Sequence, residues 1–588
     1  PRPASTPYTV LMHYCPLWKL GTHYGWNKIE NWPGRKPVIG FYDEGTPEVA
    51  DWHIKYAVEH GIQGFIYCWY RADLSPEIHE QLGHAVHDGL MKARYVDQTR
   101  FCIMWENGCA QGVRDRDDMM NNLLPYWMDR FFLHPSYLKI DNKPVLFVWR
   151  PERVAPQLGG AEATREVFEE MRTACRDAGF DGLWLIGCVE TANRSLLERM
   201  KVEGWDASSA YATWGERTRT FASDPDGITS VDHGHFMQGQ VDVWQGKRAL
   251  GLLPDIVSVM MGWDKRPWFG KRARFYTRDV QVEHFRRALV QAKALADTAP
   301  EGSLSRRMVV LDNWNEFGEG HYIEPCTGFG FGFADAIREV FCDGTVPHED
   351  VIPEDVGLEP PDRAYRAYRR VMFPDGASVN RTVEDHLIAW WRFDGDHELL
   401  ARDASATGFH GFKQGFRAGP GVSGDGFRCD GGTVSLDADR LFFPLTGLTV
   451  ELWARTDVPD QTDHWMVNTV AASDSGYRLG FTEGRLTWQI PAQSWSHGLR
   501  ADRAFPTGTW VHVAATFDNR TMRLYQNGVE VGALEREGLI KPGERSVVLG
   551  SFTPGMEAAA FHGSLDEVRI YDRPLAAAEI AARASEHR

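Results

Sequence analysis

The chain has 588 residues, too many for one ordinary domain, with apolar and charged fractions typical of globular units with proper cores. A formal charge of −17 argues against nucleic acid or an anionic membrane as the main partner. No apolar run approaches the roughly 18 residues of a membrane span, and nine cysteines without any CxxC argue against a disulfide framework or a zinc site.

Taken in chain order, the start Pro1-Arg-Pro-Ala-Ser-Thr-Pro7 reads as a mature or trimmed terminus, and a secreted, periplasmic or cell-surface location is expected. Short apolar runs then alternate with helical stretches as far as residue 342. The predicted strands are Thr9–His13, Gly64–Trp69, Phe101–Trp105, Pro144–Trp149, Leu183–Cys188, Asp206–Tyr211, Asp255–Met260 and Met308–Leu311. Helical periodicity fills the gaps, as over Pro47–His60 and Val280–Thr298. Such an order predicts an α/β fold, a (β/α)₈ TIM barrel over residues 1–342. No strand runs into G-x-G-x-x-G, which weakens a dinucleotide-binding alternative.

Residues 343–383 are acidic and proline-rich and read as a linker packed on the barrel, with a helix over Asp362–Val371. Residues 384–588 are patterned as short strands with turns such as Asn527-Gly528, which predicts an all-β jelly-roll sandwich.

Functional side chains of a (β/α)₈ barrel follow its strands. Here His13 and Tyr14 follow strand 1, and Trp69 and Tyr70 follow strand 2. Trp105 and Glu106 follow strand 3, and Trp149 follows strand 4. Tyr211 closes strand 6, and Trp263, Asp264 and Arg266 follow strand 7. Strand 8 opens into Trp314, Glu316, Glu319, His321 and Tyr322. Aromatic faces stack on sugar rings, polar groups bind hydroxyls, and two carboxyl groups can exchange protons at a glycosidic oxygen. Glu316 and Glu319 are therefore the expected catalytic pair, and the others are expected to bind a polysaccharide or oligosaccharide. No cofactor is expected for catalysis, and the sequence sets no oligomeric state. The run Asp264–Arg278 carries six cations, which reads either as a site for sulfated or uronate-bearing glycans or as a solvated loop.

The run Asn315-Glu-Phe-Gly-Glu-Gly-His-Tyr-Ile-Glu-Pro325 resembles the signature of glycoside hydrolase family 99 and its WbsX-like relatives. Further matches lie in Pro47-Glu-Val, His60-Gly-Ile-Gln-Gly-Phe-Ile66, Leu138–Leu146 and Gly262-Trp-Asp264. The resemblance implies retaining, endo-acting cleavage of α-mannosidic bonds with the substrate's own 2-hydroxyl as nucleophile. It implies Glu316 as the base on that hydroxyl and Glu319 as general acid. The more polar stretch of the mannan-cleaving members is missing, which leaves the sugar open.

From Trp391-Arg-Phe-Asp394, Trp510–Phe517 and Phe561–Tyr571, the C-terminal segment resembles the laminin-G-like branch of the concanavalin A-like lectins. Two readings stand for it, a glycan-binding module or a structural pad. The resemblance also implies a structural calcium ion near Asp394 and Asp566. Two rival functions stand as well. One is a glycosyltransferase using Asp115-Arg-Asp117 to hold a metal–nucleotide pair, and the other is a non-catalytic glycan-binding protein.

Overall fold

In the computed structural model, described residues are 1–588 except 20–25, 27–28, 109, 216–221, 224–227, 270–272, 274, 345, 364, 367–382, 396–399, 438–439, 470–474, 492–497, 542–545, 553–558 and 588. Two compact units form, one from Pro1–Trp18 with Trp26–Arg363 and one from Lys19–Gly25 with Ala364–Arg588.

The first unit is a parallel barrel of eight strands. They are β1 (Thr9–Tyr14), β2 (Gly64–Arg71), β3 (Arg100–Trp105), β4 (Lys143–Val148), β5 (Trp184–Cys188), β6 (Ala207–Ser209), β7 (Val257–Met260) and β8 (Met308–Asp312). Hydrogen bonding runs in the order β7-β8-β1-β2-β3-β4-β5-β6. A parallel bridge from Ser208 to Asp255 links β6 to the approach of β7 and closes the ring. Closure leaves no open edge, so these near-continuous apolar runs are buried on both faces. All eight predicted strands form, with ends shifted by a residue or two.

The helices that cover the barrel start and stop where their chemistry directs. Helix α1 (Pro47–Glu59) has proline in its first turn, where its missing N–H costs nothing. After α2 (Ala161–Asp177) comes α3 (Arg194–Glu203), capped by Asn193 and ended by left-handed Gly204. Helix α4 (His233–Leu250) repeats this with Asp232 and Gly251. Helices α5 (Val282–Asp297) and α6 (Gly332–Phe341) complete the set used below.

Residues 343–363 belong to the same compact unit: Asp343 N–H donates to the Ser5 carbonyl, and Arg338 donates to the Val346 carbonyl. The predicted helix over Asp362–Val371 falls mostly outside the described residues.

The second unit is two antiparallel sheets packed over a core that includes Trp391, Phe427, Leu452, Trp488, Val513 and Phe561. Asn527 and Gly528 both take positive φ, 51° and 81°, and join Thr521–Gln526 to Val529–Glu535 as a tight hairpin.

Candidate active site

The centre of the candidate site is a short hairpin that leaves β8. Asn315–Glu316 pairs antiparallel with His321–Tyr322, which places Glu316 directly opposite His321. Two glycines make the turn between them feasible. A Cβ on Gly318 would sit 1.7 Å from the Trp268 ring, and Gly320 has φ 72° and no room for a Cβ, which would fall 2.5 Å from the Asp264 nitrogen. Gly318→Ala is therefore expected to lower the melting temperature by an overpacking cost of about 1–3 kcal/mol and to displace the hairpin. Differential scanning calorimetry beside an activity assay checks it.

From that hairpin a line of charges runs into the barrel. His321 Nδ1 lies 2.7 Å from Asp312 Oδ2, the last residue of β8. Asp312 Oδ1 lies 3.5 Å from His13 Nδ1 at the end of β1. On its other side, His321 Nε2 contacts Glu316 Oε2 at 3.0 Å and Glu319 Oε2 at 3.7 Å. Glu316 also accepts a hydrogen bond from the Tyr211 hydroxyl, and a longer one, 3.4 Å, from the Asn313 amide. Lys265 Nζ lies 2.7 Å from Glu319 Oε1 and 4.6 Å from the Trp263 ring centre. Trp263 in turn lies 4.7 Å from the His321 ring, so an indole borders the acids.

The same network separates the ionisation of the two glutamates. Burial pushes Glu316 upward and the negative charge of Glu319 adds to this, while His321 and Tyr211 oppose it; the net shift is up. Burial also pushes Glu319 upward, but His321 and the Lys265 ammonium outweigh it and hold Glu319 below the usual carboxylate range. For His321 burial favours the neutral ring, yet Asp312 and Glu316 prevail and raise it well above an ordinary histidine. In the free site the two carboxyl groups are thus drawn apart, Glu316 upward and Glu319 downward, with His321 held towards its cationic form between them.

Beside the acids lies a cavity of about 330 Å³, lined by Arg35, Trp263, Asp264, Arg266, Tyr276 and Tyr322 among others. Its cations are engaged. Asp264 pairs with Arg35 at 2.5 Å and with Arg266 at 2.8 and 2.9 Å, and Arg266 stacks 3.4 Å over Tyr276. Of the remaining cations in that run, Lys265 faces Glu319 and Arg278 faces Asp279, while Lys271, Arg272 and Arg274 lie outside the described residues.

Of the candidates from sequence, the structure gathers Glu316, Glu319, His321, Tyr211 and Trp263 together, with His13 reached through Asp312. Tyr322, Asp264 and Arg266 border the adjoining cavity. Tyr70 places its hydroxyl 3.5 Å from Cys15 Sγ. Glu106 uses its carboxylate on its own loop, accepting from the N–H groups of Gly108 and Ala110. Trp149 packs against Gly108 under the Arg150 guanidinium, 4.1 Å away.

Four aromatic candidates must be corrected. Tyr14 bonds His53 of α1 and stacks on Tyr67; Trp69 and Trp105 both pack on Trp127; Trp314 meets His53 and Phe65 edge-on. All four are buried in the layer between strands and helices, because neighbouring residues on a strand point to opposite faces. Arg71 also turns away, into a buried pair with Asp118.

The sequence pattern does not single out Asp312, which ends the last strand, or Asn313, which follows it, and it marks Lys265 only as one cation of the run Asp264–Arg278. Glu324, the closing acid of the signature, is structural here: it binds the Tyr42 hydroxyl at 2.6 Å and faces His53 at 3.2 Å. Asp115 caps a helical turn by accepting from the Asp118 N–H, and Asp117 pairs with Arg116, so both ends of the D-x-D triplet are in use.

In the second unit Asp566 accepts from the N–H groups of Val422, Ser423 and Glu567, and burial pushes it up to about 7. Asp394 accepts from the Asp425 N–H and pairs with Arg392. All four oxygens already face donors, a poor fit to the calcium ion implied by the resemblance.

A family model described as Glycosyltransferase WbsX matches residues 32–337, more than half of the chain, and one described as Concanavalin A-like lectin/glucanases superfamily matches residues 430–581. A curated relative, the uncharacterized protein WxcX of Xanthomonas campestris pv. campestris, is 23% identical over 330 residues, covering 51% of this chain. The match spans 42% of that relative, under half its length. Among solved structures, a glycoside hydrolase-like protein is 17% identical with a TM-score of 0.43, covering 58% of this chain and 97% of its own. The GH99 endo-alpha-mannosidase from Bacteroides thetaiotaomicron is 16% identical with a TM-score of 0.39, covering 57% and 96%.

Proposed function

The chain belongs to the WbsX family, and from that membership and the geometry of its strand-8 hairpin we propose that it is a glycoside hydrolase, cleaving a glycan with retention through Glu316 and Glu319. The observation that carries this reading is the pair itself. A buried and a part-buried glutamate share one imidazolium, and the burial of Glu316 together with the lysine beside Glu319 pushes their ionisation apart. Acid–base cleavage of an acetal needs one protonated and one ionised carboxyl group in the same pocket, and a purely structural pair does not. The ligand-type atoms of Glu316, Glu319 and His321 all lie within 4.8 Å of one another. That proximity supports retention, since an inverting pair stands roughly 6.5–9.5 Å apart to admit a water between them.

The proposed substrate is an oligosaccharide or polysaccharide, an α-mannoside or a related glycan cut internally, with its 2-hydroxyl taking part. The paired state of Arg35, Lys265 and Arg266 favours a neutral sugar over a sulfated one in the described pocket. Trp263 supplies an apolar face for a pyranose at the rim of the acids. In this scheme Glu316 deprotonates the 2-hydroxyl, while Glu319 protonates the leaving oxygen and later activates water. In the free site the shifts run the other way, Glu316 up and Glu319 down, so these roles require Glu319 to gain a proton once substrate engages Lys265.

That requirement gives a pH prediction with a definite sign. Removing Lys265 takes away the cation that depresses Glu319, so the carboxyl pair takes up its second proton at higher pH. The acid limb of kcat/KM in Lys265→Met is expected to move up. The alkaline limb, set by loss of the last proton, moves up by less, because Glu316 lies farther from the lysine. An acid limb that stays in place in Lys265→Met would count against the assignment.

The glycosyltransferase reading draws on the family's description, but Asp115 and Asp117 are taken up by a helix cap and an arginine pair. Reducing ends appearing from mannans, sulfated algal glycans or uronate polymers, with product anomers followed by NMR, test the hydrolase. No release from any of them, beside transfer from a nucleotide sugar, would favour the transferase. Binding without either reaction would leave a lectin-like protein.

A further inference from the structure

Away from the hairpin, among the described residues, one further group of histidine and carboxylate side chains brings its ligand-type atoms within 4.8 Å of one another: His60, Asp335, His348 and Asp350. They come from three parts of the chain. His60 follows α1 just ahead of β2, Asp335 lies on α6, and His348 and Asp350 lie in the segment that follows α6. The group therefore sits near the starting end of β2, while the acid pair stands beyond the finishing end of β8.

The contact pattern is that of a ligand shell. His60 Nε2 lies 3.1 Å from His348 Nε2, 3.3 Å from Asp350 Oδ1 and 3.5 Å from Asp335 Oδ1. His348 Nε2 lies 2.8 Å from Asp350 Oδ1. The edge of a tetrahedron with metal–ligand bonds of about 2.0–2.1 Å is roughly 3.3 Å, so these separations bracket it.

The imidazole orientation carries the argument further. His60 is fully buried, and its Nδ1 lies 2.6 Å from the Tyr56 carbonyl, which can only accept, so Nδ1 bears a proton. Nε2 is then the nitrogen that faces the group, towards two carboxylate oxygens and a second ring nitrogen. A proton on Nε2 or a metal ion at the centre can balance these acceptors, and only the ion meets all four side chains at once. A backbone carbonyl fixing the far nitrogen is also how metal-binding histidines are held in one tautomer.

We propose that His60, Asp335, His348 and Asp350 form a site for one divalent cation of the zinc class, bound through two imidazole nitrogens and two carboxylate oxygens. Two nitrogens and two oxygens at tetrahedral spacing suit that class better than calcium or magnesium, which take shells of oxygen. The ion would tie the segment after α6 to α1, where Arg338 already donates to the carbonyls of Glu59 and Val346. Its role is structural.

The test uses the full chain stripped with EDTA and titrated with Zn²⁺ by calorimetry, with melting followed in parallel. One equivalent is expected, and at a hundredfold excess over Kd the first unit should melt more than about 3 °C higher. His348→Ala and Asp350→Asn should each weaken binding at least tenfold while leaving glycan cleavage intact. Glu319→Gln should keep the equivalent. No bound equivalent, or equal binding in wild type, His348→Ala and Asp350→Asn, overturns the proposal. So does loss of binding in Glu319→Gln, since the ion would then belong to the acid cluster. Circular dichroism shows which variants fold, and Asp350→Asn decides alone if His348→Ala does not.

Discussion

Glu319→Gln is expected to lower release of reducing ends from the natural glycan by roughly 10²–10⁴-fold, the usual worth of a positioned general acid. The amide keeps the size of the carboxyl group and can still accept from Lys265, but it can neither give a proton to a departing sugar oxygen nor take one from water. With an aryl glycoside whose leaving group departs without protonation, the first step should largely survive and the second, needing activated water, should become limiting. A burst of aryl alcohol followed by slow turnover is the expected signature. Glu316→Gln should show no such relief, because its loss removes the base whatever the leaving group. Full activity of both variants on the natural glycan would sink the assignment, whereas equal losses on both substrates in Glu319→Gln would move the acid role elsewhere.

The second large effect concerns stability. Arg71 and Asp118 form a fully buried pair, with Nη1 2.7 Å from Oδ2 and Nη2 2.9 Å from Oδ1. Asp118 also accepts from the Arg114 N–H and the Asn122 amide. Burial pushes its carboxyl up, but the guanidinium and these donors outweigh that and hold it well below the usual carboxylate range. Asp118→Ala leaves a buried guanidinium without its counter-ion, at a cost of about 3–5 kcal/mol. At roughly 2–4 °C per kcal/mol for large domains, the barrel transition should fall by about 6–20 °C in calorimetry.

The pH dependence has a sign as well. A carboxyl group depressed in the folded state stabilises above its unfolded value of about 4, and that contribution fades as pH falls through the folded value. The wild-type barrel should therefore lose stability below about pH 4, and Asp118→Ala should lose less over that interval. A shift under 2 °C at neutral pH would show that the pair adds nothing.

The barrel was legible because its signal is repeated. Eight apolar runs, each followed by a helical stretch, specify alternating buried strands and covering helices, and the Asn-Gly hairpin of the second unit is equally local. Which face a side chain takes was not legible. Tyr14, Trp69, Trp105 and Trp314 were rightly placed near strand ends, but the sequence does not say which residue of an alternating pair faces the cleft. His13 and Tyr14 are neighbours, yet one reaches Asp312 and the other α1. Register and strand twist decide that, and both arise from pairing across the whole ring.

The acids divide along the same line. Sequence alone determined that Glu316 and Glu319 stand together on a glycine-permitted turn at the end of the last strand, and the residues around them carried the resemblance to WbsX-like proteins. Their ionisation was decided by tertiary structure. It depends on Lys265 arriving from beyond β7, Tyr211 from beyond β6 and Asp312 through His321, at separations of a few ångströms. Local spacing fixes which side chains share a turn, while electrostatic energy falls with distance in space, and only the closed barrel sets those distances.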